Sequence, residues 1–458
     1  MKRCIALGLV LLVMGPAIAQ GDTAKTLADI TAKASGSLAV VEYTVEMETG
    51  SRNVTGQAVC IAANGVFLTT SLDSRLPVET LKNFKITVPG VDRKELKAKL
   101  LGVDAWTGLG FVQATEKHTW QVVQFSRTSG IALGQEVASI GLLMGDPARP
   151  VCLGRGFAAS KLRVPGDLVY VAGRLTGACS PVYAPDGRAI GIVGRQLFLP
   201  FQMPTRRGMV PMRLRSQQES AFFTPVEEFV HVLENIPSDG KVARLPWMGV
   251  NRFEAVPKDL ADILKLDKPA VKVDEVIPNQ PAAKGGLADR DIIIEVDGKP
   301  IEKLATPELS VRNFVRKLMR MRTGTVLKLK ILSGGKPKDV SVTLGDMPKR
   351  PSEAKRYFNR AIGLLVREKV MLDEFLDKSE DARVPGLIVL GVVKSSPSAV
   401  AGLKNGDVVT NVNNQPVKTI QMLQQIVEKS LATSRTAPIN FLIRRDAQAQ
   451  VITVKPGN

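Results

Sequence analysis

The sequence predicts a mainly β protein: one long block of short strands, then two copies of a smaller α+β unit. Three observations carry this. Short runs rich in β-branched residues, broken by Gly, Asn, Asp and Pro, fill the first half. Residues 276–301 and 392–417 repeat each other. The chain has 458 residues, 44% hydrophobic and 23% charged, enough for about two to four domains with real cores and too apolar for a disordered chain.

Taken in order, Lys2 and Arg3, the apolar run Ile5 to Met14 and the small-x-small triplet Ala17-Ile18-Ala19 have the layout of a cleaved signal peptide. The run is short for a membrane anchor, so the mature chain is expected to be exported. Strands are expected at Ser37 to Met47, Gly56 to Ala62, Val66 to Thr70, Phe84 to Val88, Leu109 to Ala114, Glu136 to Gly141, Leu168 to Ala172 and Ala189 to Val193. Many short strands with frequent turn signals make a barrel or sandwich. Thr224-Pro225 reads as the N-cap and first position of a closing helix whose apolar face is Phe229, Val232, Leu233 and Ile236. Ile236 to Pro246 reads as a linker and Lys349 to Arg360 as a charged connector.

The repeated runs, VIPNQPAAKGGLADRDIIIEVDGKPI and VVKSSPSAVAGLKNGDVVTNVNNQPV, each give a strand, a turn, a short helix, Gly-Leu and an apolar strand. They resemble PDZ domains of the bacterial type. That resemblance implies a groove between a strand and a helix, opened by a carboxylate-binding loop. The loop maps onto Trp247-Met248-Gly249-Val250 in the first copy and Ala361-Ile362-Gly363-Leu364 in the second. The physics fits: successive backbone N–H groups in a tight turn cradle an anion, and an open strand edge accepts a peptide. Val311, Phe314, Val315 and Leu318 line the expected first helix; Met422, Leu423, Ile426 and Val427 line the second. Arg312, Arg316 and Arg320 recur every four residues and read as a solvated face, or as one that selects acidic segments.

The first block resembles the trypsin-like domain of the HtrA/DegP family. The matches are GQAVCIAANGVFLTT (56–70), DAWTGLGFV (104–112), PVYAPDGRAIGIVG (181–194) and FFTPVEEFVHVL (222–233). The implied fold is a trypsin-like double β-barrel followed by two PDZ domains (small α+β barrels). Its organisation is a signal peptide over 1–19, a degenerate HtrA-type domain over 20–237, a first PDZ domain over 238–348, the connector over 349–360 and a second PDZ domain over 361–458.

The same matches locate a triad that is missing. Leu72 stands where the family has His, Gly108 where it has Asp, and Ala178 where it has Ser; Cys179 and Ser180 replace the two glycines after the nucleophile. Triad chemistry needs a hydroxyl, a base to take its proton and a carboxylate to orient the base. A one-residue slip would put Cys179 at the nucleophile, but only His118 and His231 exist to serve as imidazole base, and neither matches a catalytic position.

Two functions follow. The favoured one is an exported scaffold, adaptor or chaperone-like pseudoprotease that captures protein C-termini or unfolded segments through its PDZ domains. The alternative is an HtrA-type endopeptidase, serine- or Cys179-dependent, in envelope quality control. The expected location is the bacterial periplasm or cell envelope. A net charge of +18 adds anionic envelope components as partners. Few aromatics and no recognisable module argue against nucleic acid. No Cys pair has zinc spacing, so neither metal nor cofactor is expected. By resemblance, the assembly is a homo-oligomer, a trimer.

Overall fold

The structure is a computed structural model describing residues 18–456, except 75, 91–92, 164–165, 195–200, 206–207, 213–219, 377–378 and 435. Most of the expected signal peptide, 1–17, lies outside the described residues.

Helix α1 (Ile18–Ser35) leads into a first barrel of β1 (Leu38–Met47), β2 (Gly50–Ala62), β3 (Val66–Thr69), β4 (Leu81–Val88), β5 (Lys94–Asp104) and β6 (Gly110–Ala114). The strands run in the order β5-β4-β1-β2-β3-β6, and pairing of β5 with β6 closes the ring. Inside it pack Val41, Tyr43, Val45, Phe67 and Ile86. A second closed barrel is built from β7 (Glu136–Leu142), β8 (Val151–Arg163), β9 (Asp167–Leu175), β10 (Pro181–Tyr183) and β11 (Ala189–Val193). After the separate hairpin β12 (Phe201–Thr205) and β13 (Gly208–Met212), β14 (Ser220–Pro225) completes that barrel between β11 and β9. Leu38, Leu68, Phe111, Ile140, Cys179 and Phe229 form the apolar seam between the barrels.

At 224–225 the structure differs from the expected helix start. Thr224 and Pro225 end β14, pairing with Ile192 and Gly191. A 3₁₀ turn, Val226–Glu228, then precedes a short α2 (Val230–Leu233). Closing the barrel takes these residues as strand, which overrides a local capping signal. Phe229 and Val232 still bury their side chains as expected. The linker is itself structured: β15 (Lys241–Ala243) adds to β5 in parallel.

The first repeated unit contains β16 (Pro246–Trp247), β17 (Phe253–Ala255), α3 (Lys258–Ile263), β18 (Val271–Val273), α4 (Pro281–Lys284), β19 (Ile292–Val296), β20 (Lys299–Pro300), α5 (Pro307–Met319), β21 (Val326–Ser333), β22 (Lys336–Thr343) and β23 (Gly345–Asp346). The second contains β24 (Arg356–Asn359), β25 (Leu364–Glu368), α6 (Asp373–Leu376), α7 (Glu380–Arg383), β26 (Leu387–Val392), α8 (Pro397–Ala401), β27 (Val408–Val412), β28 (Gln415–Pro416), α9 (Ile420–Thr433), β29 (Ile439–Arg445) and β30 (Gln448–Val454). Each unit has its own apolar core. Helices α5 and α9 start alike: Thr306 Oγ1 accepts from the Leu309 amide and Thr419 Oγ1 from that of Met422, each at 3.3 Å. Such caps are worth about 1 kcal/mol each.

Two of the three arginines of the α5 stripe, Arg316 and Arg320, are turned to the barrels and not to solvent. Arg316 is buried and pairs with buried Glu228 of the 3₁₀ turn, Nη1 to Oε1 at 2.7 Å. Arg320 reaches Glu228 Oε2 at 3.4 Å and donates to the Glu227 carbonyl at 2.6 Å. Asn313 Oδ1 accepts from Arg316 Nη2 at 2.9 Å. Arg312 alone of the three is exposed. A second tie joins Arg163 at the end of β8 to Glu302 at 3.0 Å. Hydrogen bonds from Lys317 and Asn313 hold the Glu302 carboxyl down at about 2. Arg316 and Arg320 thus mark the docking face of the first unit on the barrels.

Candidate functional site

Leu72 and Gly108 meet at a cleft of about 520 Å³, lined also by Leu168, Ile192 and Phe229. Leu72 is 1% exposed and belongs to the core of the first barrel, packed against Gly110. An imidazole in that place would sit among apolar side chains. Gly108 has φ +71° in a turn that Asp104 organises by accepting from the Thr107 amide at 2.7 Å.

Ala178 sits on the loop ahead of β10, and its neighbours turn inward. The Thr176 amide donates to Ser139 Oγ at 2.8 Å, that of Cys179 to the Val193 carbonyl at 2.8 Å, and that of Ser180 to the Gly177 carbonyl at 3.2 Å. Ser180 is fully buried, its Oγ accepting from Gln57 Nε2 at 3.0 Å, while Gln57 Oε1 accepts from the Leu142 amide at 2.7 Å. This strut between the barrels was not legible from the loop sequence. Cys179 keeps the left-handed backbone expected of a glycine, φ +70°, and its thiol donates to the Leu68 carbonyl at 3.4 Å.

Among the described residues, neither histidine pairs with this loop. His118 lies against Trp120, ring centres 4.2 Å apart. His231 is on α2, where burial and then the Arg320 charge lower its pKa.

Burial pushes the Cys179 thiol up to about 12, against smaller lowering by hydrogen bonds from Thr70, and Cys60 to about 11. All three described cysteines are free. At pH 8 a thiol of that pKa is roughly 10⁻⁴ thiolate. Iodoacetamide at pH 8 should therefore label half-exposed Cys152 in the native chain and reach Cys60 and Cys179 only on unfolding. Mass spectrometry of the alkylated peptides checks this; native labelling of Cys179 would return it to the candidates for a nucleophile.

The two carboxylate-type loops superpose in their bonding. The Gly249 carbonyl accepts from the Ile277 amide and the Met248 carbonyl from that of Ala282; in the second copy Gly363 accepts from Val393 and Ile362 from Ser398. Gly249 and Gly363 have φ of +83° and +67°, which glycine adopts without strain. Trp247, Met248, Val250, Ile362 and Leu364 point their side chains into the cores, and Ala361 is exposed. What each loop offers outward is backbone.

The outward backbone differs between the copies. Among the described residues no acceptor meets the Met248 or Gly249 amide. In the second copy the Ile362 amide donates to Asn359 Oδ1 at 3.2 Å and the Gly363 amide to the Asn359 carbonyl at 2.9 Å. Residue 359 falls within the stretch read as connector, so the sequence pattern did not single it out.

Two closed six-stranded barrels followed by two strand–loop–strand units with a helix alongside define a trypsin-like double barrel carrying PDZ domains. The PDZ-domain family matches residues 252–344 and 362–455. A DegP-like periplasmic serine endoprotease of Pseudomonas fulva is 30% identical over 382 residues, 80% of this chain and 72% of the relative. One of Pseudomonas putida is 29% identical over 383 residues with the same coverage. Two solved structures of the HtrA-type protease AlgW share the fold. The one with a tripeptide has a TM-score of 0.53 at 21% identity, covering 70% of this chain and 98% of that one. The one with a decapeptide has 0.52 at 19%, covering 70% and 99%. The chain belongs to the HtrA/DegP family, and it is an exported, periplasmic protein.

Proposed function

We propose that this chain is a non-catalytic member of its family, a periplasmic binding protein that holds protein C-termini or unfolded segments on PDZ domains carried by a protease-like body. The observation that carries the reading is the loop 176–181. Its amides at Thr176, Cys179 and Ser180 donate to protein acceptors, its thiol is buried, His118 lies against Trp120 and His231 lies on α2. An oxyanion needs N–H groups aimed at it, and a hydroxyl or thiol needs a base. On the binding side, support comes from the PDZ matches, from the Met248 and Gly249 amides and from the edge of β17, which ends its sheet among the described residues. Self-association, a trimer by resemblance, and attraction of anionic envelope components by the +18 charge belong to the same reading. Exposed Leu153, Phe157 and Tyr170 on the outer face of β8 and β9 support the self-association.

The names of the relatives favour a second reading, an endopeptidase. The two separate on unfolded casein, incubated with the chain alone and with PDZ-binding peptides. No cleavage is expected, because loss of nucleophile or base costs on the order of 10⁶ in turnover in a serine protease. Leu72→His, Gly108→Asp and Ala178→Ser together should stay inactive, since residue 72 points into an apolar core. Cleavage by the wild type that disappears in Cys179→Ala or Ser180→Ala would establish the endopeptidase.

A further inference from the structure

We propose that the groove of the second PDZ unit is ligated in cis by Arg356–Asn359, which sits as a bound peptide end would. The first unit then remains the one open to a C-terminus in trans. The proposal rests on the peptide-capture reading above.

The two groove strands have different surroundings. In the first unit β17 pairs with β18 and, among the described residues, has no strand on its other edge. In the second, β25 lies between β26 and β24. A peptide entering that groove would add to the edge β24 already covers. Strand β24 runs antiparallel to β25, with Arg356 opposite Arg367, Tyr357 opposite Val366 and Asn359 opposite Leu364. Its last residue therefore arrives at the loop, as the last residue of a captured chain would. There Asn359 supplies two oxygens, its carbonyl to the Gly363 amide and its Oδ1 to the Ile362 amide. These are neutral counterparts of the two oxygens of a carboxylate. The Glu368 amide donates to the Lys355 carbonyl at 2.9 Å and prolongs the ladder.

Side chains complete the likeness. Tyr357, two residues before Asn359, shares its face of the strand and packs against the core of the unit. Its hydroxyl accepts from Asn359 Nδ2 at 2.9 Å and donates to Glu428 Oε1 of α9 at 3.5 Å. Strand, loop and helix are thus all engaged by four consecutive residues. The ligand chemistry this groove fits is a free C-terminus with an aromatic residue third from its end. Residues 360–363 are all that separate β24 from β25. At an effective concentration on the order of mM, a tethered strand outcompetes a micromolar free peptide by roughly 10²–10³-fold. A true carboxylate binds such amides more strongly than the neutral amide does.

The test uses the full chain and a fluorescein-labelled Lys-Arg-Tyr-Phe-Asn peptide with a free carboxylate, read by anisotropy and by hydrogen exchange. In the wild type the amides of 364–368 should be protected without peptide, and peptide should add no protection there. In Tyr357→Gly/Asn359→Gly, exchange over 364–368 should rise at least tenfold. The peptide should then bind at least tenfold tighter than to the wild type and restore protection. Protection of β29 and β30 reports whether the unit stays folded. If the double variant loses it, Tyr357→Phe, which removes only the hydroxyl contacts, should still speed exchange over 364–368. Unchanged exchange in a folded variant, or wild-type binding at 364–368 as tight as the variant's, would overturn the proposal. An apolar-ended peptide monitored at 253–255 tests the first unit independently, so loss of the broader reading appears there and not at β25.

Discussion

Glu228→Ala should destabilise the chain by about 3–5 kcal/mol and release the first PDZ unit from the barrels, because it strands a buried guanidinium. Both side chains of the Glu228–Arg316 pair are 8% exposed, and the second carboxylate oxygen of Glu228 faces Arg320. Removing the carboxylate leaves Arg316 with Asn313 as its remaining neutral partner. Replacing both members, Glu228→Leu with Arg316→Leu, should recover part of the loss, since an apolar pair avoids desolvating those two groups while Arg320 keeps its bond to the Glu227 carbonyl. Urea unfolding gives the energies, and limited proteolysis between 236 and 246 reports release of the unit. Salt should weaken the half-exposed Arg163–Glu302 tie much more than this one. A change of only a few tenths of a kcal/mol in Glu228→Ala, the scale of a surface pair, would mean that the docking face is held by something else.

Gly249→Val should cut the affinity of the first PDZ unit for a free C-terminus by at least about tenfold, or 1.4 kcal/mol. Two effects act together. At φ +83° a β-branched residue is strained, and its Cβ would stand 2.5 Å from that of Gln280. The turn that presents the Met248 and Gly249 amides must then move. Amidating the peptide should weaken binding to the wild type as well, since a charged acceptor is lost. Gly363→Val should leave binding in trans to the first unit intact. Calorimetry with acid and amide peptides measures both effects, and equal affinities would count against carboxylate capture.

Much of this architecture could be read from local signals. Strands such as Ser37 to Met47 and Ala189 to Val193 announce themselves by composition and flanking turns, and all eight expected strands have counterparts in the structure. The duplicated unit follows from the repeat, and the PDZ-domain matches over 252–344 and 362–455 bear it out. Other features were silent. Strand β8 alternates exposed with buried or half-buried residues over Val151–Arg163, yet its Gly, Cys and Ser content hides the period. The end of β14 carries a stronger helix-start signal than strand signal, and only pairing with Ile192 and Gly191 shows which prevails.

On the proposed reading, residue identities alone carry the missing chemistry: a leucine at 72 takes no proton and an alanine at 178 has no nucleophilic atom, whatever surrounds them. The same holds for the duplicated unit, since glycine positions and apolar period are properties of the chain itself. What covers a face is different in kind. Arg316 and Arg320 read as one side of a helix, but whether that side meets water, a peptide or Glu228 depends on a contact 88 residues away in sequence. Lys349 to Arg360 reads as a charged connector because its composition is polar, yet four of its residues form β24 along the edge of β25. Strand pairing draws on main-chain groups that every residue shares, so composition carries little of it. Only the assembled sheet decides which edge is left open.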